Sequence, residues 1–353
     1  MLSFLETDKD LLKYSSFHTP ATARYFFELR EKQDIPKLHN IWGFAQENNL
    51  PIVFLGSGTN ILFAFDIFEG IIIRNTLKGI EWKDNIVTVA TGELISPLSL
   101  QISKKISEKF KTSEKGPHGP DKSFIRSGDM GNSCENRSHS SPEEGLSEGD
   151  VLKSTTSEDT EIGTGSSHFT EVFSLFGKWV GLPGTVGGAV AGNAGCFGFE
   201  AKDTLIQANI FDMETGEYIT LRNKELDFSY RHSILKDYSN WFLVDTIFRT
   251  NLISDDTTNP RTFRSGKQPG GFTCGSFFRN PPGDSAGRLI DQVGLKGHRI
   301  GGVKVSEVHA NFFLNDKKGS YQDILTLRDL AKEKVQEMFG IELQEEVRII
   351  ENK

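Results

Sequence analysis

The 353-residue sequence predicts an α+β protein with more than one domain. Its length exceeds what a single hydrophobic core usually supports, so about two or three domains are expected. Apolar residues recur at helical spacing from Ile35 to Asn48, and Pro51–Leu55 then has the composition of a short buried strand. Because such helices and strands do not alternate regularly along the chain, a doubly wound parallel sheet is not expected.

The remaining predicted elements are also short. Three further strands are expected, at Gly70–Arg74, Ile86–Thr91 and Leu205–Asp212. Near the C-terminus, Ser320 and Asp323 form a capping-box pattern that predicts a helix start. Apolar positions repeat at helical spacing from Ile324 to Met338, and Gly340 is a typical helix stop. The segment Ile341–Ile350 predicts a final strand.

The composition changes between residues 112 and 168, where Ser, Glu, Gly, Asp and Thr dominate. Such a segment buries too little apolar surface to offset an ordering entropy of about 1–2 kcal/mol per residue. It is expected to be a flexible loop inserted into a folded domain. A regulatory or partner-binding segment is the alternative.

Charge and cysteine usage exclude several classes of protein. A formal net charge of -8 argues against general nucleic-acid binding, which requires a basic face. The cysteines Cys134, Cys196 and Cys274 lack a C-x-x-C spacing, so neither a disulfide scaffold nor a metal site is predicted. The acidic start and the absence of an apolar run of roughly 18–20 residues argue against a signal peptide or a membrane span. The expected location is cytoplasmic.

Two Gly-rich stretches are candidates for binding a phosphate-containing ligand. Glycine permits φ > 0 and lets backbone N–H groups approach an anion closely, although a plain tight turn or a loop between core elements remains the alternative. Two such loops on different segments suit a long dinucleotide better than a mononucleotide. The first loop comprises Gly56, Ser57, Gly58, Thr59 and Asn60. The predicted ligand contacts of the second are Gly181, Pro183, Gly184, Thr185, Gly187, Gly188, Ala189 and Asn193.

A third stretch places polar and aromatic residues together, in the order Gly-Ser-Phe-Phe-Arg-Asn-Pro from Gly275 to Pro281. Ser276, Arg279 and Asn280 are candidates for catalysis or ligand binding, and turn and core residues are the alternative reading. Cys274 has no paired base within sequence reach, so a thiol nucleophile is not expected.

These three stretches, followed by V-S-E-V-H-A-N-F and a terminal E-E-V-R-I-I, resemble the UDP-N-acetylenolpyruvoylglucosamine reductase (MurB) family over residues 16–110 and 169–350. The resemblance implies an FAD-binding domain of the vanillyl-alcohol-oxidase (PCMH) type at 16–250. A smaller α+β substrate-binding domain is implied at 251–353. The stretch between Arg231 and Ser276 is short, which places the chain nearer the subclass without an extra tyrosine-bearing loop. Ser57 and Thr59 depart from the Gly and Ser more usual in the family's first loop.

The family activity implies that NADPH reduces FAD, and that flavin N5 passes hydride to C3 of the enolpyruvyl group of UDP-N-acetylglucosamine enolpyruvate. The product is UDP-N-acetylmuramate, a peptidoglycan precursor. By motif position, Ser276 protonates C2 while Arg231 and Glu346 stabilise the enolic intermediate. Glu345 is the alternative to Glu346, because a one-residue slip would exchange them. The residues implied to bind the UDP-sugar are Arg279, Asn280, Gln268 and His309.

Several alternatives stay open at this point. FAD is expected to bind non-covalently, since no His or Cys attachment signature is recognisable. A flavin oxidase of the same fold would keep both Gly-rich loops without needing Arg231, Ser276 and Glu346 together. A catalytically silent flavin or nucleotide-binding protein is a further possibility. His309 is equally compatible with a structural role.

Overall fold

The computed structural model describes residues 2–114, 124–126, 173–254 and 260–352. The helices within them are α1 Lys37–Glu47, α2 Ile95–Glu114, α3 Val186–Ala191, α4 Pro260–Lys267, α5 Ala286–Gln292 and α6 Tyr321–Phe339. The strands before residue 127 are β1 Glu6–Asp10, β2 Thr22–Leu29, β3 Ile52–Leu55, β4 Ile61–Phe63, β5 Ile67–Asn75, β6 Ile80–Lys83, β7 Ile86–Ala90 and β8 Ile125–Arg126. The strands after it are β9 Phe173–Ser174, β10 Gly195–Cys196, β11 Phe199–Glu200, β12 Leu205–Asp212, β13 Tyr218–Arg222, β14 Trp241–Arg249, β15 Leu252–Ser254, β16 Arg299–Ile300, β17 Val303–Val305, β18 Phe313–Asn315 and β19 Arg348–Ile350.

The first sheet has the strand order β1-β2-β5-β3. β1 runs antiparallel to β2, whereas β2 and β3 both run parallel to β5. Helix α1 presents Leu38, Ile41 and Ala45 to this sheet, where they share a buried cluster with Ile71 and Ile73 of β5. The helical spacing of the apolar residues therefore supplies the face that packs on the sheet.

A second sheet, antiparallel throughout, has the order β13-β12-β14-β7-β6. Phe211 of β12 and Phe242 of β14 join the cluster of the first sheet. Phe248 packs instead with Ile102 of α2 and Val190 of α3. Different residues of this sheet therefore pack against the first sheet and against the helices α2 and α3.

The C-terminal third builds its own core around the small sheet β16-β17-β18. Leu289 of α5 and Leu327 of α6 are fully buried with Phe313 of β18. Two N-terminal residues, Phe17 and Leu62, belong to the same cluster. The chain then returns, and β19 pairs in parallel with β4. The end of the chain is thereby placed beside the first Gly-rich loop.

Most of the predicted elements are confirmed. The structure contains the expected first helix as α1 and the expected strands within β3, β5, β7 and β12. The capping box forms at α6: Ser320 accepts a hydrogen bond from the Asp323 backbone N–H, and Gly340 ends the helix at φ 67°. Met338 was expected on the buried face of that helix, but it is 61% exposed in the last turn, beyond the packed core.

Two predicted boundaries are wrong. Only Arg348–Ile350 of the predicted strand Ile341–Ile350 forms β19, because β4 offers just three residues to pair with. The predicted insert at 112–168 begins inside α2, which continues to Glu114. It also contains β8, in which Ile125 pairs with Leu252 of β15 and packs against the core beside α2. The rest of the predicted insert lies outside the described residues.

The predicted division into domains at residues 250/251 stays a prediction. β15 pairs with β8 and β9, and β19 pairs with β4, so hydrogen-bonded strands connect the two sides of that boundary. Among the described residues, none of the helices is long and apolar enough to cross a bilayer.

The connection from β3 to β4 passes tightly beneath the N-terminal segment. Gly58 adopts φ +71°, and a Cβ at this position would lie 1.9 Å from the carbonyl oxygen of Tyr14. A Cβ at Gly56 would likewise lie 2.5 Å from Oγ1 of Thr185. Side chains are excluded from both positions because the backbone of this loop packs directly against Tyr14 and Thr185.

We predict that Gly58→Ala destabilises the protein by about 2–5 kcal/mol, since it combines left-handed strain with overpacking against a backbone atom. Urea or thermal denaturation of the purified variant measures this loss.

Gly43→Ala is the matched control. Gly43 lies in α1 with no atom within 4 Å of its added methyl group, so the substitution should be neutral or stabilising by about 0.5–1 kcal/mol. Equal stability of the two variants would contradict the close approach at Gly58.

Candidate active site

The two Gly-rich loops lie against each other. Thr185 caps α3 by accepting a hydrogen bond from the Gly188 backbone N–H at 3.3 Å. Its Oγ1 is also the atom that approaches Gly56. In return, Thr59 Oγ1 lies 3.2 Å from where a Cβ of Gly184 would be, and Gly184 has φ +123°. The structure therefore brings the two predicted loops into one site.

The buried hydroxyl of Ser57 gives a test of what this site can hold. Its Oγ is buried and has no hydrogen-bond partner among the described residues. A buried polar atom of this kind is costly unless a ligand or water satisfies it. A phosphate oxygen is a suitable acceptor for this hydroxyl, and backbone N–H groups of a Gly-rich turn commonly bind such an anion. The residues of this site thus fit the diphosphate of a dinucleotide.

Asn193 was predicted to contact the cofactor, and the structure shows what its amide does. The residue is fully buried; Nδ2 donates to Glu200 Oε2 at 3.0 Å and to the Ser229 carbonyl at 3.1 Å. Its Oδ1 accepts from the Lys202 backbone N–H at 3.2 Å. The amide thus connects the end of the second loop to the turn that carries Arg231. A direct cofactor contact stays a prediction.

Arg231 lies at the corner of a tight turn. Ser229 and His232 exchange two backbone hydrogen bonds of 3.2 Å, which closes the turn around Tyr230 and Arg231. Arg231 has φ +59°, the left-handed region, which costs an L-residue about 1–2 kcal/mol. Strain of this kind persists only where the surroundings hold it, and it is frequent at functional sites.

The guanidinium of Arg231 makes an ion pair with Glu346. Its Nε donates to Glu346 Oε1 at 2.7 Å, and a terminal nitrogen donates to the Gly195 carbonyl at 3.2 Å. The side chains are 24% and 19% exposed. The pair is therefore half-buried and open to a ligand on one side.

Backbone hydrogen bonds place Glu346 between the serine segment and the first Gly-rich loop. Its N–H donates to the Phe277 carbonyl at 2.8 Å, one residue after Ser276. Its own carbonyl accepts from Asn60 Nδ2 at 3.1 Å, and the Arg348 N–H donates to the Asn60 carbonyl at 3.0 Å. The predicted catalytic segments and the first loop thus meet at one place.

The structure separates the two neighbouring glutamates. Glu345 Oε1 lies 3.1 Å from Lys332 Nζ and 3.7 Å from Arg328 Nε, both on α6. Adjacent residues of an extended segment point to opposite sides, so Glu346 faces Arg231 while Glu345 faces the helix. Of the two alternatives, Glu346 is the carboxylate that pairs with Arg231.

Two further cations, Lys236 and Arg348, were not identified from the sequence. Lys236 Nζ donates to the Arg231 carbonyl at 2.7 Å. Burial and the positive charges of Arg279 and Arg348 lower the pKa of Lys236, although the residue keeps solvent access. Burial also lowers the pKa of Arg348. Arg348 follows Glu346 by two residues. Because side chains two apart in an extended segment lie on the same side, this spacing could have identified Arg348 from the sequence.

Of the predicted UDP-sugar ligands, Arg279 lies beside the segment that leads to Glu346. Its N–H donates to the Gln344 carbonyl at 2.8 Å, and its Nε is buried without a hydrogen-bond partner among the described residues. Asn280 Oδ1 accepts from the Ala286 N–H at 3.1 Å, at the start of α5. Arg279 is therefore the predicted ligand that the structure links most directly to Glu346.

The other two predicted ligands lie in different settings. His309 Nδ1 accepts from the Asn311 N–H at 3.2 Å, and burial lowers the pKa of the imidazole. This arrangement suits a neutral histidine that holds its own loop. Gln268 is exposed just after α4. Among the described residues, neither side chain is hydrogen-bonded or ion-paired to Arg231 or Glu346. The ligand roles of His309 and Gln268 stay predictions.

Cys274 lies beneath the first loop. Its Sγ is 3.4 Å from the Ile61 carbonyl and 3.9 Å from that of Gly58, and burial raises the pKa of the thiol to about 12. A neutral thiol is a poor nucleophile, in accord with the expectation from sequence. In the parts of the chain that the structure covers, no group of three His, Cys, Asp or Glu side chains could hold a metal ion.

Arg264 connects α4 to the second loop and was also missed. Its guanidinium donates to the Lys178 carbonyl at 3.1 Å and to the Val180 carbonyl, and it lies 3.1 Å from Cys196 Sγ. These contacts fix the segment that precedes Gly181. Nothing in the local sequence pattern around Arg264 indicates such long-range partners.

Comparison with known proteins gives concordant matches. Residues 268–350 match the family described as UDP-N-acetylenolpyruvoylglucosamine reductase, C-terminal domain, and residues 30–110 match an FAD binding domain. A UDP-N-acetylenolpyruvoylglucosamine reductase of Rubrobacter xylanophilus is 41% identical over 352 residues, 97% of this chain and 94% of that protein. The reductase of Chloroflexus aurantiacus is 31% identical over 355 residues, 98% and 97% of the two chains.

A solved structure has the same fold. The UDP-N-acetylenolpyruvylglucosamine reductase of Thermus caldophilus aligns with a TM-score of 0.61 at 23% identity, covering 98% of this chain and 99% of that one. The PCMH-type FAD-binding fold with an added α+β part, expected from the sequence, is therefore confirmed. With two relatives matched at 41% and 31% identity over nearly their whole lengths, the chain belongs to the UDP-N-acetylenolpyruvoylglucosamine reductase family.

Proposed function

We propose that this protein reduces the enolpyruvyl ether of UDP-N-acetylglucosamine to UDP-N-acetylmuramate, a step of peptidoglycan precursor synthesis. The observation that carries the proposal is the Arg231–Glu346 ion pair, held between the segment of Ser276 and the first Gly-rich loop. One hydride from NADPH and one proton reduce the C=C bond, which leaves NADP⁺ and the saturated lactyl ether. The substrate, NADPH and their contacts are inferred from family membership and the chemistry of the site.

FAD is proposed to bind non-covalently along the two facing loops. Ser57 Oγ and the backbone around Gly56 and Gly58 would hold one side of its diphosphate, and Thr185 and Gly184 the other. The bound flavin supplies the hydride that NADPH has delivered to it. The described thiols fit non-covalent binding: burial raises the pKa of both Cys196 and Cys274 above the usual range.

Arg231 is proposed to stabilise the negative charge that moves toward the substrate carboxylate when hydride adds to C3. A guanidinium carries five N–H donors, and the hydrogen bonds of Arg231 to Glu346 and Gly195 use its Nε and one terminal nitrogen. The remaining donors are available for a planar carboxylate. Glu346 fixes the orientation of the guanidinium, so the charge is in place before the reaction begins.

Ser276 is proposed to deliver the proton to C2. Its backbone is fixed by an isolated bridge to Phe312 and by the neighbouring Phe277 hydrogen bonds, and Gly275 before it has φ +80°. A hydroxyl is a weak acid in water, so the position beside a developing carbanion has to provide its reactivity.

Three broader predictions accompany this proposal. The division into an FAD-binding part (16–250) and a substrate-binding part (251–353) is supported by the separate buried cluster formed largely by residues 274–347. Membership of the subclass without the tyrosine-bearing loop is supported by the short stretch between Arg231 and Ser276. A cytoplasmic location suits an enzyme that uses NADPH and a nucleotide sugar.

An anaerobic two-step titration tests the function. We predict that NADPH bleaches the flavin absorbance of the purified protein, and that the enolpyruvyl substrate then restores it with formation of UDP-N-acetylmuramate. Acid precipitation should release yellow flavin into the supernatant. Restoration by oxygen but not by the enolpyruvyl substrate would identify a flavin oxidase instead, and flavin that stays on the precipitated chain would contradict non-covalent binding.

Paired substitutions of the adjacent glutamates test which carboxylate acts. Glu346→Gln should slow reoxidation of the reduced flavin by substrate by about 10²–10³-fold, the loss typical of a preorganised electrostatic group. Glu345→Gln removes only the contacts to Lys332 and Arg328 and should stay close to wild type. Stopped-flow flavin absorbance measures both rates, and the reverse ranking would reassign the carboxylate.

Ser276→Ala tests the proton donor. Flavin content and reduction by NADPH should be nearly unchanged, while reoxidation by substrate slows by about 10²–10⁴-fold because a general acid is lost. Ser276→Cys should recover part of the rate, since a thiol in the same position can also donate a proton. Normal reoxidation combined with impaired flavin reduction would show that Ser276 has a structural role.

A further inference from the structure

Lys236 is hydrogen-bonded to the strained turn of Arg231. Its Nζ donates to the Arg231 carbonyl at 2.7 Å, five residues along the chain. Arg231 has φ +59° although it is not glycine, so the turn requires external contacts to keep its shape. Hydrogen bonds between Ser229 and His232 close the base of the turn. The carbonyl of Arg231 at its corner accepts its hydrogen bond from Lys236 instead.

The lysine is itself fixed to the end of α3. Ser233 Oγ donates to the Ala191 carbonyl at 2.9 Å and so fixes the start of the short helical turn Ile234–Lys236. A Cβ at Gly192, which follows α3, would lie 4.0 Å from Lys236 Nζ. The ammonium group thus lies beside the residue that follows α3. Its position is set by the same helix that begins at the second Gly-rich loop.

The charges around Lys236 make this position unfavourable for a cation that has no specific contact. Burial and the positive charges of Arg279, Arg348 and Arg231 lower the pKa of Lys236, whereas the charge of Glu346 raises it. The hydrogen bond to the Arg231 carbonyl and the end of α3 therefore account for a lysine at this point. A solvated lysine free to leave would move away from three guanidinium groups.

We infer that Lys236 is a positioning residue for Arg231, and that its hydrogen bond to the Arg231 carbonyl maintains the left-handed turn that directs the guanidinium at Glu346. This inference rests on the catalytic role proposed for Arg231. Without the ammonium, the Arg231 peptide is free to relax toward φ of about -60°, the region that L-residues favour. Such a rotation turns the side chain away from Glu346.

The first test compares Lys236→Met, which keeps the length of the side chain but removes the donor, with Lys236→Arg, which keeps a cationic donor. Reoxidation of the reduced flavin by the enolpyruvyl substrate should be about 10–100-fold slower in Lys236→Met, the size expected for a misplaced catalytic group. Lys236→Arg should recover most of that loss. Flavin content and melting temperature should match wild type in both variants.

Lys224→Met is the matched control. Lys224 is an exposed lysine in the preceding short helix, and its replacement should leave the reoxidation rate unchanged. A wild-type reoxidation rate in Lys236→Met would overturn the inference. An equal loss in Lys236→Met and Lys224→Met would also overturn it, because the effect would then reflect general charge.

A double-mutant cycle shows whether Lys236 acts through Arg231. In an Arg231→Ala background, adding Lys236→Met should cause no further loss of rate, since no guanidinium remains to be positioned. Multiplying losses would overturn the inference and make Lys236 an independent substrate contact. Failure of the proposed function is distinguishable, because wild-type protein would then not be reoxidised by the enolpyruvyl substrate at all.

Discussion

The parallel pairing of β19 with β4 places the C-terminal glutamate beside a loop almost three hundred residues earlier in the chain. Asn60, the last residue of that loop, donates to the Glu346 carbonyl and accepts from the Arg348 N–H. Glu346 is in turn bonded through its N–H to the segment of Ser276. Without this pairing, Glu346 would not be held in position to form its ion pair with Arg231. Contacts so distant in sequence form only after large loops have closed, so the site is completed late in folding.

The electrostatics of the site contrast with those of the whole chain. A net charge of -8 for the whole chain coexists with four cationic side chains, Arg231, Lys236, Arg279 and Arg348, near the carboxylate of Glu346. Half-buried ion pairs contribute little to stability when desolvation is considered, so the Arg231–Glu346 pair is better understood as a means of orientation. The local excess of positive charge attracts an anionic ligand, which total charge alone would not reveal.

Local signals predicted the fold well, whereas long-range contacts escaped prediction. The capping box at Ser320 and the glycines of the facing loops were identifiable because each depends on neighbouring residues. The short length of β19 depends on β4, a partner remote in sequence, and the strand was therefore predicted too long. The roles of Lys236 and Asn193 depend on where the Arg231 turn folds back, which no pattern within either segment encodes.

The buried thiol of Cys274 has a thermodynamic consequence. Cys274 lies two residues before Ser276, and its thiol packs against the carbonyls of Gly58 and Ile61. Any ligand that binds the loop only in the folded protein stabilises that state by mass action. Since the loop and the serine segment share this contact, local opening of one exposes the other, and ligand occupancy suppresses both openings together. A cofactor bound at this loop would thus reduce how often the serine segment opens to solvent.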